Sequence, residues 1–212
     1  MHTPARAHSN NADSLSKSER NVNADQASSS LEPPGGILVW IIVYLELITF
    51  CAGLVVFVVQ GSKHSEEFQN GFALLNQPIA FANTLILLTG GWCMANGIVA
   101  LRRNFQKQSA RWIAAAMGTG FAFLVLKSVE YAEKIKLGIS FGEDTFFTLY
   151  WMLTGFHLLH VAAALIILMV MWLGIRSGKY HRHDLLDVES SGIFWHMCDL
   201  IWLLLYPVIY LL

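Results

Sequence analysis

The chain has 212 residues, 55% of them hydrophobic and 14% charged, with a mean hydropathy of +0.48. A formal net charge of −1 leaves no basic footprint for nucleic acid. The apolar residues fall in long runs and not at the spacing of a soluble core, which marks membrane-spanning helices.

Residues 1–35 are polar, rich in Ser, Asn, Ala and Asp, and close on "EPPGG". Such a composition cannot bury a core, so a disordered cytoplasmic tail is expected, without the apolar centre of a signal peptide. Five apolar runs follow. The first, 37–59, carries one charge, Glu46. The second, 79–101, carries none and begins just after Pro78, a residue suited to a first helical turn. The third, 112–129, holds only Lys127 and is expected to continue to about Ile135. The fourth, 145–175, is uncharged, and the fifth, 193–212, holds only Asp199. A spanning helix needs roughly 20 residues, so all five qualify, and the long fourth run must tilt or protrude. The sequence thus predicts an all-α integral membrane protein, a bundle of five transmembrane helices over 36–212. Their expected limits are about 37–59, 79–101, 112–135, 145–175 and 193–212.

Orientation follows from Lys and Arg outside the runs. Alternate segments carry ten against three, which predicts a cytoplasmic N-terminus, and five spans then put the C-terminus outside.

Ionisable side chains inside hydrocarbon are costly, so Glu46, Lys127, His157, His160, His196 and Asp199 each need a reason. At a rise of about 1.5 Å per residue, Glu46 lies roughly 14 Å from the cytoplasmic end and Asp199 roughly 9–10 Å from it. His157 and His160 fall near the middle of the fourth run. Glu46, His160, His196 and Asp199 are therefore expected to converge in the inner half. Lys127 and Glu130, three apart, can pair on one helix face. His196, Asp199 and Trp202 also share a face, and a carboxylate beside an imidazole can fix its tautomer. These groups could form a proton, metal or lipid-headgroup site, or hydrogen bonds that tie helices together. Haem at His157 or His160 would need an imidazole from a second helix. His196 is the only other histidine in an apolar run, and a respiratory catalytic core would need more than three. "HRHDLLD" (181–187) offers the residues of a surface metal site but reads as a solvated loop. Cys51, Cys93 and Cys198 stand alone in apolar runs and read as packing residues.

Four stretches carry a resemblance to the haem–copper (cytochrome c) oxidase subunit III family. "TGFHLLHV" (154–161) resembles its TGFHGxHV motif, with Leu158 in place of glycine, and "FWHMCDLIW" (194–202) resembles its terminal WHxxDxxW motif. "WIIVYLELITF" (40–50) resembles its acidic first-helix segment, with Glu46 as the carboxylate, and "LKSVEYAEKIKLG" (126–138) is similar to the end of its third helix. The resemblance covers about 36–212 in the short, five-helix bacterial form. The ending "LLLYPVIYLL", with Pro207, and Cys198 before Asp199 look most like the NorE type associated with nitric oxide reductase and denitrification.

The resemblance implies a non-catalytic accessory subunit of the respiratory electron-transport chain. Such a subunit lies beside a catalytic haem-containing subunit, holds phospholipid in a V-shaped cleft and sustains turnover and stability. It implies no haem or metal in this chain and at most a structural phospholipid. Carried over by motif, Glu46, Lys127, Glu130, His157, His160, His196, Asp199 and Trp202 become lipid-cleft or helix-packing residues. The alternatives are subunit III of an oxygen-reducing cytochrome oxidase, a cytochrome b anchor, and a small proton-coupled carrier using Glu46 and Asp199. A carrier would favour an inverted repeat, and none is visible.

Overall fold

The computed structural model describes residues 33–139, 141–142, 144–180 and 185–211. The tail through residue 32 and the 181–184 stretch lie outside the described residues, and with them the expectations of a disordered tail and a solvated HRHD loop.

Six helices are described: α1 (Gly36–Lys63), α2 (Ser65–Ala73), α3 (Gln77–Arg102), α4 (Gln106–Lys136), α5 (Thr145–Arg176) and α6 (Leu186–Tyr210). All except α2 are long and apolar enough to cross a bilayer. The four helices α3 to α6 form the bundle, with α3 against α4 and α6, and α5 against α4 and α6. Helix α1 lies outside them, in the groove between α5 and α6. Its outward face is lipophilic, with Ile37, Leu38, Ile41, Leu45, Ile48 and Val55 all exposed. In a bilayer such a face meets acyl chains or another subunit, so its exposure needs no internal partner.

The helix starts are chemically marked. Asn76 accepts a hydrogen bond from the amide of Ile79 (3.2 Å) and precedes Pro78 in the first turn of α3. Asp144 accepts from the amide of Phe147 (2.6 Å) and opens α5. Gly35 caps α1 at φ 78°, and a Cβ there would lie 2.7 Å from Cδ1 of Ile193. Only glycine suits both the left-handed backbone and that close approach. Ser190 donates to the Gly35 carbonyl (2.9 Å), fastening the start of α1 to α6.

Two expectations are corrected. First, α4 and α6 begin at Gln106 and Leu186, six and seven residues before the apolar runs. Helical hydrogen bonding continues past the hydrocarbon boundary, and Asp187 and Glu189 in the first turn of α6 favour the positive end of the helix dipole. Second, α2 was not anticipated. Its nine residues, SEEFQNGFA, are too few and too polar to register as a span. Phe68 and Phe72, four apart on one face, pack with Phe57 of α1 and Phe146 of α5 at centroid separations of 5.0–6.4 Å. The amide of Thr145 donates to Glu67 (3.3 Å), so α2 closes the loop side of the α1–α5 contact.

Candidate functional site

The motif residues sort into three groups along the bundle. The deepest joins three helices. Lys127 and Glu130 of α4 are fully buried and meet at 3.0 Å. Lys127 also donates to the hydroxyls of Tyr150 of α5 (3.1 Å) and Tyr210 of α6. Those two phenols donate in turn to Oε1 of Glu130, at 2.7 and 2.9 Å. The ammonium sits 4.9–5.4 Å from the ring centroids of Tyr131, Tyr150, Trp202 and Tyr210. A buried ion pair is stable only when its remaining donors and acceptors are matched. Here both carboxylate oxygens and three ammonium donors have partners within the protein. Beside this group, Tyr131 donates to Thr154 (2.8 Å), and Lys134 donates to the carbonyl of Leu74 after α2.

The second group lies where α1 meets α5. Nε2 of His160 stands 3.2 Å from Oε2 of Glu46. Oε2 of Glu46 accepts no hydrogen bond among the described residues. Nδ1 of His160 faces the Phe156 carbonyl at 2.9 Å. A carbonyl has no proton to give, so Nδ1 donates to it, and Nε2 faces the Glu46 carboxyl group. Phe50 of α1, Phe156 and Phe194 surround the ring.

The third group lies between α6 and α3. His196 Nδ1 is 3.6 Å from Asp199 Oδ2, and both groups face Gly91 of α3. A Cβ at Gly91 would collide with that carboxylate, so glycine admits Asp199 to the helix contact. Trp202, one turn on, donates from Nε1 to Thr84 of α3 (3.0 Å).

Within the set expected to converge, the close contacts are two pairs: Glu46 with His160 where α1 meets α5, and His196 with Asp199 beside Gly91 of α3. Depth along the axis placed them at one level, but depth says nothing of direction around a helix. His157 belongs to neither pair. It is fully buried, stacked on Trp202 (5.3 Å, 28°) and edge-on to Phe123 (5.7 Å). No hydrogen-bond partner reaches either ring nitrogen. Among the described residues, no three His, Cys, Asp or Glu side chains are grouped as a metal ligand set would be.

Sequence reasoning missed Tyr150, Tyr210, Thr84 and Gly91. The tyrosines carried a usable signal, since a phenol in hydrocarbon seeks a polar partner and Lys127 and Glu130 were the nearest unexplained charges. Gly91 carried none, because its role depends on which residue of α6 faces it.

The sequence model of the family described as cytochrome c oxidase subunit III matches residues 40–212. The chain is 32% identical over 131 residues to a cytochrome c oxidase subunit 3 of Synechocystis, covering 61% of this chain and 55% of the relative. It is 25% identical over 195 residues to that of Corynebacterium diphtheriae, covering 90% and 95%. It is also 21% identical over 173 residues to the cytochrome bo(3) ubiquinol oxidase subunit 3 of Pseudomonas aeruginosa, covering 82% of each. The match thus spans little more than half of the Synechocystis relative and nearly all of the Corynebacterium one.

Proposed function

The chain belongs to the cytochrome c oxidase subunit III family, and on that premise we propose that it is a non-catalytic membrane subunit that steadies a haem–copper oxidoreductase during turnover. One observation carries this reading. The motif residues act as tethers between helices: Lys127 and Glu130 join α4 to α5 and α6, Glu46 joins α1 to α5, and Trp202 joins α6 to α3. Interhelical polar contacts of this kind hold a bundle in one arrangement. A rigid bundle with a lipophilic outer face is suited to brace a larger membrane subunit.

The partner is a catalytic haem-containing subunit, and the chain carries no haem or metal of its own. Within the family we assign it to the NorE type, beside nitric oxide reductase. The support is the five-helix form and the ending with Cys198, Asp199 and Pro207. A second reading, subunit III of an oxygen-reducing oxidase, is favoured by the names of the relatives, which are oxidase subunits. The membrane is the bacterial cell membrane, with the N-terminus cytoplasmic by the Lys and Arg bias.

Affinity purification of the tagged chain from native membranes, followed by mass spectrometry, tests this. Recovery of a nitric oxide reductase catalytic subunit supports the first assignment. An oxygen reductase catalytic subunit supports the second. Recovery of neither, with the chain intact, contradicts both.

A further inference from the structure

The Lys127–Glu130 group is also the centre of a run of oxidisable rings, which a tether between helices does not require. Trp151, Tyr131, Tyr150, Tyr210 and Trp202 follow one another with ring centroids 4.5, 6.2, 6.4 and 6.2 Å apart. Tyr206 stacks on Tyr210 at 5.9 Å and 26°. Indole and phenol are among the side chains most easily oxidised by one electron, and an electron crosses gaps of this size without movement of the rings. Tyr206 and Trp151 are half-buried, whereas Tyr150, Tyr210 and Trp202 are at most 1% exposed. The run thus leads from partly exposed rings on α5 and α6 into the interior.

What separates these rings is where their protons can go. A phenol gives up an electron readily only when its proton passes to a base in the same step. Tyr150 and Tyr210 both donate to Oε1 of Glu130, at 2.7 and 2.9 Å. Tyr131 donates to the hydroxyl of Thr154 and Trp202 to that of Thr84, and a hydroxyl is a poor base. The Trp151 N–H has no acceptor among the described residues. An electron taken anywhere along the run is therefore replaced from Tyr150 or Tyr210, and the oxidised state settles there. Transfer of the proton leaves Glu130 neutral and Lys127 without its counter-charge. Four ring centroids 4.9–5.4 Å from the ammonium remain to hold that charge.

We propose that Tyr150 and Tyr210, with Glu130 as proton acceptor, form a one-electron redox site that intercepts lipid-soluble peroxyl radicals. A peroxyl radical takes one electron by way of Tyr206 and one proton from water at the membrane boundary, and becomes a hydroperoxide. Tyr150 or Tyr210 supplies the electron, its O–H proton moves to Glu130, and a neutral phenoxyl radical is left. A membrane quinol returns the electron, releasing its own proton to water, and Glu130 returns the proton to the phenolic oxygen. Peroxyl radicals are polar and collect towards the boundary, where Tyr206 stands, four residues before the end of α6 at Tyr210. The site lies wholly within this chain and is independent of which catalytic subunit the chain accompanies.

The test uses the full-length chain, labelled with ring-deuterated tyrosine and purified in detergent. Peroxyl radicals are generated in the micelles by a lipophilic azo initiator in air, and samples frozen at intervals are read by electron paramagnetic resonance. The unsubstituted chain should accumulate a tyrosyl signal, narrowed by deuteration, that persists after the initiator is spent. Tyr150→Phe with Tyr210→Phe should lose the persistent signal. Lys127→Met with Glu130→Leu should lose it as well, since both phenols remain but their base is gone. Tyr44→Phe, an exposed ring of α1 outside the run, should keep it. If either double variant does not fold by circular dichroism, Tyr150→Phe and Tyr210→Phe singly take its place, and at least one of them should weaken or reshape the signal. Absence of a persistent tyrosyl signal in the unsubstituted chain overturns the proposal. So does a signal that survives unchanged without Glu130, without both phenols, or in both single variants.

Discussion

Glu46 and His160 form the only contact between an acid and a base that joins α1 to the bundle among the described residues, with Nε2 and Oε2 3.2 Å apart. The rest of that contact is apolar, built on Phe50, Leu54 and Phe57. The two residues should therefore be energetically coupled. Glu46→Ala and His160→Ala are each expected to lower stability in detergent by about 1 kcal/mol, in the range of polar contacts between membrane helices. The double variant should lose less than the two singles combined. Strict additivity in thermal unfolding would show that the pair does not hold α1.

Removing one member of the Lys127–Glu130 group has a different cost. Lys127→Met leaves a carboxylate buried with only two phenols, and such a change is expected to cost about 3–5 kcal/mol. Lys127→Met with Glu130→Leu removes both charges and should recover much of that loss. Chemical denaturation of the purified variants gives the comparison. A double variant as unstable as Lys127→Met would mean that shape rather than charge governs the site.

Gly91 offers a test of packing at the third group. Gly91→Ala places a methyl against the Asp199 carboxylate, and overpacking of this kind costs about 1–3 kcal/mol. Asp199→Ala vacates that space, so the two changes together should be less harmful than Gly91→Ala alone. Thermal unfolding of the three variants checks it, and an equally unstable double variant would place the clash elsewhere.

The contrast among these three groups shows what the sequence could reveal. The five spans were legible because twenty apolar residues in a row have few other uses. Lys127 and Glu130 were legible as a pair because three residues is a local helical spacing. Tyr150 and Tyr210, which complete that group, come from 20 and 80 residues away, and only the packing of α4, α5 and α6 unites them. That Glu46 meets His160 across the α1–α5 contact needed the packing for the same reason. Each helix can be rotated about its axis without changing its hydropathy, and burial of the aromatic faces sets the rotation. Helix α2 was hidden because its apolar face is two phenylalanines wide, sufficient to fill a corner but not to mark a span.

Topology gives a fourth prediction. Five spans predict termini on opposite sides, and ten Lys and Arg on one set of segments against three on the other predict the N-terminus inside. Phosphatase and fluorescent-protein fusions at the two ends should report the C-terminus outside and the N-terminus inside. Both ends on one side would mean that one of α1, α3, α4, α5 and α6 does not cross.

The central claim is that this chain supports a reaction it does not perform. Membranes from a strain lacking the chain, assayed for nitric oxide and oxygen reduction over time and normalised to haem, test it most directly. The account predicts that reduction persists at a lower rate or with a shorter active lifetime, and that the chain supplied in trans restores it. Complete loss of haem-linked activity, with the catalytic subunit fully assembled and its haem intact, would contradict it.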